Sequence, residues 1–82
     1  MSVGERIRSI RKERGLTQKE LGDRLGLSYQ SIAQWENDLR KPKLETTLKI
    51  ANALGVDASV LEPTFDEILE DETQTVYLDA IK

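Results

Sequence analysis

Cysteine and histidine are both absent from this chain of 82 residues. Without cysteine, neither a disulfide framework nor a thiolate metal site can form. Without histidine, the commonest general base and metal ligand is missing. No convergent pair of carboxylates stands out to take over that chemistry, so the chain is not expected to be an enzyme or to hold a metal or cofactor. No apolar run approaches the ~18 residues needed to span a bilayer, and no signal-peptide pattern opens the chain, which points to a cytoplasmic protein with no membrane partner.

What is present is charge, unevenly spread. About a third of the residues are charged and 38% are apolar, which suits a small globular domain with a modest core. The net charge is −3, which on its face argues against a polyanionic partner. Its distribution reverses that inference: residues 1–44 carry +4, residues 45–63 carry −2 and residues 64–82 carry −5. Binding of a polyanion depends on the local patch, so the opening half is suited to it and the acidic end is not.

Periodicity divides the chain into short helices. The first is expected over about residues 2–14, with Val3, Ile7 and Ile10 as its apolar stripe, Arg11 flanking it, and Gly15 as a left-handed stop. Thr17 and Glu20 have the spacing of a capping box and open a second helix, in which Leu21 and Leu25 face inward. Gly22, in its interior, costs about 1 kcal/mol relative to alanine and suggests that another helix backbone approaches closely. Gly26 ends that helix, Leu27 is expected as an apolar plug, and Ser28 is expected to cap a third helix. On the third helix, Tyr29, Gln30, Ala33, Gln34 and Asn37 fall on one face and Ser28, Ser31, Ile32 and Trp35 on the other, with Glu36 at the seam. Trp35, the single tryptophan, has the chemistry of a stacking platform, but its place opposite the glutamines makes it a core residue. Residues 37–43 read as a polar, basic loop broken by Pro42. A fourth helix is expected at about 44–54, with Leu44, Leu48, Ala51 and Leu54 inward and Gly55 and Val56 closing it. Asp57 caps a short fifth helix, Val60 and Leu61 close the core, and Pro63 marks a boundary between a domain of residues 1–63 and an extension of residues 64–82. In that extension Thr64 and Glu67 match a capping box, Phe65, Ile68 and Leu69 make an apolar edge, and residues 73–78 fit a strand or no regular structure equally well.

These residues resemble the helix-turn-helix domain of lambdoid phage repressors and Cro proteins, the XRE-like regulators. The resemblance rests on Gln18 opening the second helix, the apolar positions Leu21, Leu25, Leu27, Ile32 and Trp35, and Gly26 in the turn. Outside that core it rests on W-E-N at 35–37, R-K-P at 40–42, L-E-T at 44–46 and A-L-G-V at 53–56, and it covers roughly residues 3–62. It implies an all-α, five-helix bundle whose third helix enters the major groove of DNA. It further implies base contacts from Tyr29, Gln30 and Gln34, and a phosphate contact from Gln18. Lys43 would lie over the minor groove, while Ser28, Asn37, Arg40 and Lys41 would lie along the backbone. Arg11 and Glu36 would form a buried ion pair between the first and third helices. The chain departs from the family at Gly22, where alanine is usual, at Asp38, where glycine often ends the third helix, at Lys43, where serine is a common cap, and at Tyr29, where some phage repressors carry glutamine.

The function expected from these features is sequence-specific binding of double-stranded DNA by a transcriptional regulator, a repressor acting as a homodimer on a pseudo-palindromic operator. Two alternatives draw on other features. An antitoxin would use the acidic, partly apolar residues 64–82 to hold a protein partner, and an adaptor would use the bundle without DNA. The acidic extension itself admits three readings: a solvated tail, a dimer-forming element, or a segment that competes with DNA for the basic face.

Overall fold

A computed structural model of the chain describes residues 1–68. Five helices follow in order, α1 (Val3–Glu13), α2 (Gln18–Leu25), α3 (Tyr29–Glu36), α4 (Leu44–Leu54) and α5 (Ala58–Leu61). Residues 65–68 form a further helical turn, and no strand occurs among the described residues. The expected all-α bundle is therefore what the chain forms, while the expectations for Leu69 and for residues 73–78 lie outside the described residues.

The helix starts are set by short polar side chains. Ser2 Oγ accepts from the Glu5 amide at 3.1 Å and opens α1. Thr17 and Glu20 form the reciprocal capping box, with bonds of 3.0 and 3.1 Å. Asp57 accepts from the Ser59 amide at 3.0 Å and opens α5. Ser28 does not cap α3 as expected: its backbone has the extended geometry of a cap, but its hydroxyl lies 3.5 Å from Ser31 Oγ instead of on an amide.

The ends of α1 to α4 share one device. A residue in left-handed geometry follows the helix, and the next amide reaches back to the carbonyl five residues earlier. The bonds are Leu16 to Arg11, Leu27 to Gly22, Leu39 to Gln34 and Val56 to Ala51, all between 2.8 and 3.1 Å. Glycine supplies the left-handed residue at three of these ends, and Asp38, at φ +59°, supplies it at the end of α3. Aspartate tolerates this region better than most residues, and here Ser2 Oγ donates to its carboxylate at 2.8 Å. The end of α3 is thereby tied to the start of α1.

The core consists of Ile7, Ile10, Leu16, Leu21, Ile32, Trp35, Ile50, Ala51, Leu54, Ala58, Leu61 and Phe65. Phe65 lies beyond Pro63 and is buried, so packing of the bundle continues past the expected boundary. Three apolar residues expected inside are outside: Leu27, Leu48 and Val60 are each between 41% and 47% exposed. On α4 the buried face is Thr47, Ile50, Ala51 and Leu54, one step round the helix from the Leu44–Leu48 line, and Leu44 is only half-buried. Thr47 can occupy an inward position because its hydroxyl donates to Lys43 O at 3.1 Å, which leaves its methyl group to pack. On α5, Ala58 and Leu61 face inward, which turns Val60 to solvent. At the α2–α3 turn the helix-ending amide bond alone fixes the backbone, and the Leu27 side chain does not fill the core.

Two glycines mark close backbone approaches. A Cβ on Gly22 would stand 2.7 Å from Leu27 O, so what approaches is the connecting turn of α2 itself, not another helix. A Cβ on Gly4 would overlap Trp35 O and stand 2.7 Å from Asp38 Oδ1, because the first turn of α1 crosses the last turn of α3. Gly4→Ala is therefore expected to destabilise the fold by about 1–3 kcal/mol despite alanine's better helix propensity, since backbone and not a flexible side chain must move; thermal or urea denaturation measures the loss.

Three carboxyls are held below their ordinary values. Glu20 is lowered by the hydrogen bonds from Thr17, Asp57 by those from Ser59, and Glu62 first by the Thr64 hydroxyl. A depressed folded-state pKa contributes stability that is complete above the unfolded value and disappears as pH falls through the folded value. The melting temperature is expected to drop on acidification below the ordinary carboxyl values of 4.5 and 3.8. Glu20→Gln with Asp57→Asn should make that acid limb shallower in a pH series of thermal melts.

Candidate nucleic-acid interface

Helix α3 has two faces in space as well as in sequence. Ile32 is fully buried and Trp35 is 8% exposed, both on the side packed against α1 and α2. On the opposite side Tyr29, Gln30 and Asn37 are exposed and Gln34 is half-buried. Gln30, Gln34 and Asn37 stand at i, i+4 and i+7, so their amides form one row along the outer surface. Neither Ser28 nor Lys43, the caps of α3 and α4, accepts an amide through its side chain, which leaves both helix starts without a side-chain cap. Uncapped first-turn amides at a helix start favour an anion.

The orientation of α3 is set at its last residue. Arg11 Nε and Nη2 donate to the two carboxylate oxygens of Glu36 at 2.7 and 3.0 Å, a bidentate pair between α1 and α3. Both residues are buried, and Arg11 Nη1 also donates to Leu16 O at 2.7 Å. Every buried side-chain nitrogen and oxygen among the described residues has a partner, so burial of this pair leaves no orphaned group. Gln18, at the start of α2, donates from Nε2 to Glu36 Oε1 at 3.2 Å. That bond has no signal in the sequence, because residues 18 and 36 meet only through the packing of α2 on α3.

The cations of the opening half divide into two groups. Arg14 Nε donates to Leu54 O at 3.1 Å and Arg24 Nη1 to Ala53 O at 3.0 Å, both at the negative end of α4. Arg6 Nη1 reaches Leu61 O, at the end of α5, at 3.5 Å. With Arg11, these arginines hold the bundle together. Arg8, Lys12, Lys19, Arg40, Lys41 and Lys43 are exposed, and of these Lys41 lies 3.5 Å from Glu62 in an ion pair. The structure thus brings Tyr29, Gln30, Gln34 and Asn37 to one helix face and places Arg40, Lys41 and Lys43 on the loop that follows it. The arginine contacts to carbonyls were missed from sequence, since a basic residue reads alike whether it meets a phosphate or a helix end.

No group of three histidine, cysteine, aspartate or glutamate residues among the described residues is placed to hold a metal ion. No described helix is long and apolar enough to cross a membrane. Two short helices, joined by a left-handed turn at Gly26 and with the second turned outward by its polar face, make a helix-turn-helix unit. The Helix-turn-helix family model matches residues 7–61, and the chain belongs to this family. Similar proteins include the immunity repressor protein of Bacillus phage phi105, 42% identical over 77 residues that make up 94% of this chain and 52% of that protein. Another is the HTH-type transcriptional regulator ImmR of Bacillus subtilis, 34% identical over 61 residues, 74% of this chain and 48% of that protein. This chain spans about half the length of these curated relatives. Among solved structures, the P22 c2 repressor protein in complex with a synthetic operator superposes with a TM-score of 0.70 at 36% identity, covering 74% of this chain and 92% of that one.

The division of cations is testable. Arg24→Ala should lower folding stability by about 1 kcal/mol through the lost bond to Ala53 O, as measured by thermal denaturation. Lys43→Ala, which removes no side-chain bond of the fold, should leave the melt nearly unchanged.

Proposed function

We propose that this chain is the DNA-binding part of a sequence-specific transcriptional regulator, a cytoplasmic repressor that acts as a homodimer on a pseudo-palindromic stretch of double-stranded DNA. The observation that carries this reading is the outward amide row of α3, anchored from behind by the buried Arg11–Glu36 pair. Membership of the helix-turn-helix family supports it, as does likeness to a phage immunity repressor and to a repressor solved on its operator.

In this reading Gln30 and Gln34 select bases. A glutamine amide donates and accepts in one plane, which matches adenine N6 and N7 in the major groove. Tyr29 contacts a thymine methyl with its ring or a phosphate with its hydroxyl. Gln18, Ser28, Asn37, Arg40, Lys41 and Lys43 meet the sugar-phosphate backbone and fix the register in which α3 lies, a role that carries no sequence information of its own. A single unit of this size buries too little surface for high specificity, which is why two copies on half-sites about one helical turn apart are needed. Residues 1–63, with Phe65 packed into their core, supply the DNA-binding domain, and the acidic charge of residues 64–82 suits that extension to a protein partner, in a dimer or in a complex with another chain. Repression follows from occupancy of the promoter, with no cofactor and no catalytic step.

Selection of duplexes from a random pool tests this directly. The expected winner is a two-fold symmetric sequence bound by two chains. Gln30→Ala or Gln34→Ala should flatten base preference at particular positions, by about 1–3 kcal/mol each. A preference profile untouched by both substitutions would sink the base-reading role. An affinity for random duplex that does not depend on salt would instead favour the adaptor, because phosphate contacts must release counterions.

A further inference from the structure

Gln18 is the first residue of α2 and Glu36 the last of α3, so they stand at opposite ends of the helix-turn-helix unit. Their contact closes that unit on itself. Gln18 Nε2 donates to Glu36 Oε1 at 3.2 Å, and the same oxygen accepts from Arg11 Nη2 at 3.0 Å. A carboxylate only accepts hydrogen bonds, whereas the two ends of a glutamine amide are alike in shape and opposite in function. An amide against Glu36 therefore has one allowed orientation, nitrogen inward. The –NH₂ group carries two hydrogens, and Glu36 takes one.

We propose that Glu36 is a positioning residue for DNA binding: it fixes the flip of the Gln18 amide and so holds the second Nε2–H ready for a phosphate oxygen. This rests on the DNA-binding reading above and deepens it. Three observations make the arrangement specific. Glu36 is 4% exposed, and its two oxygens are fixed by Arg11, so the acceptor presented to Gln18 does not move. Arg11 offsets the charge of that carboxylate, which would otherwise repel an approaching phosphate. Gln18 is itself half-buried at a helix start, so its side chain begins close to its bound geometry. The opposite flip would turn the amide oxygen toward the phosphate, acceptor against acceptor. Preorganisation of this kind removes ordering cost from binding without adding a contact.

The side-chain amide signals of Gln18 in the ¹⁵N spectrum of the free protein give the first test. One of the two protons is expected to exchange slowly with water and the other fast, and random-sequence duplex DNA should shift the fast one while the slow one stays. Equal exchange of the two protons, at the rate of those on exposed Gln30, would overturn the proposal, as would loss of the slow proton on adding DNA. The second test is Gln18→Met, which keeps the length and removes the amide. It is expected to weaken binding to random duplex about tenfold, the scale of one hydrogen bond to a charged group, with the salt slope unchanged because no cation is lost. Gln18→Glu, which sets two carboxylates against each other and against the phosphate, should weaken binding further. Undiminished binding by Gln18→Met would overturn this inference alone. Failure of the unaltered protein to bind any duplex would overturn it together with the reading on which it rests.

Discussion

The bidentate pair between Arg11 and Glu36 is the constraint on which the presentation of α3 depends. It joins the last turn of α1 to the last residue of α3 in a buried site, and Arg11 continues to Leu16 O in the loop before α2. One guanidinium thus gathers three elements. Apolar residues of similar volume would often serve stability as well as a buried ion pair. What the pair adds is direction: a planar fork accepts a carboxylate in one geometry, which fixes α3 about its own axis as well as against the core. The face that α3 turns outward depends on that rotation, because a turn of one residue swings its outward row by about 100°.

A second constraint acts at the same end of α3. The first turn of α1 crosses the last turn of α3 so closely that only glycine fits at position 4, and Ser2 holds the carboxylate of Asp38. Asp38 in turn supplies the left-handed residue that ends the helix. The inner end of α3 is therefore clamped from two directions, by an ion pair and by a backbone crossing. Its outer end, at Ser28 and Tyr29, is exposed and has no side-chain cap.

Charge follows the same division between holding and reaching. Arg6, Arg14 and Arg24 spend their guanidinium groups on the carbonyl ends of α4 and α5. The cations that make no such bond lie elsewhere, and those on the α3–α4 loop, Arg40, Lys41 and Lys43, follow directly on the polar face of α3. The excess of positive charge over residues 1–44 is real, but part of it is mortar. Counting basic residues overstates the surface offered to a polyanion.

Much of this was determined by the sequence alone, because local chemistry suffices for it. The capping box at Thr17 and Glu20, the stops at Gly15, Gly26 and Gly55, the two faces of α3 and the placement of Trp35 in the core depend on residues within one or two turns of each other. The meeting of Arg11 with Glu36 was implied by the family resemblance, and the places of both residues at the edges of their helices agree with it. Tertiary structure decided what depends on a neighbour. Periodicity gives a stripe but not which flank of it is covered, so Leu48 and Val60 turned out exposed while Thr47 went inside. A glycine shows that something approaches but not what, so the turn lay over Gly22 and α3 over Gly4. The partner of an arginine or of the Gln18 amide is set by atoms far along the chain, and only the packing of α2, α3 and α4 brings those atoms within hydrogen-bond distance.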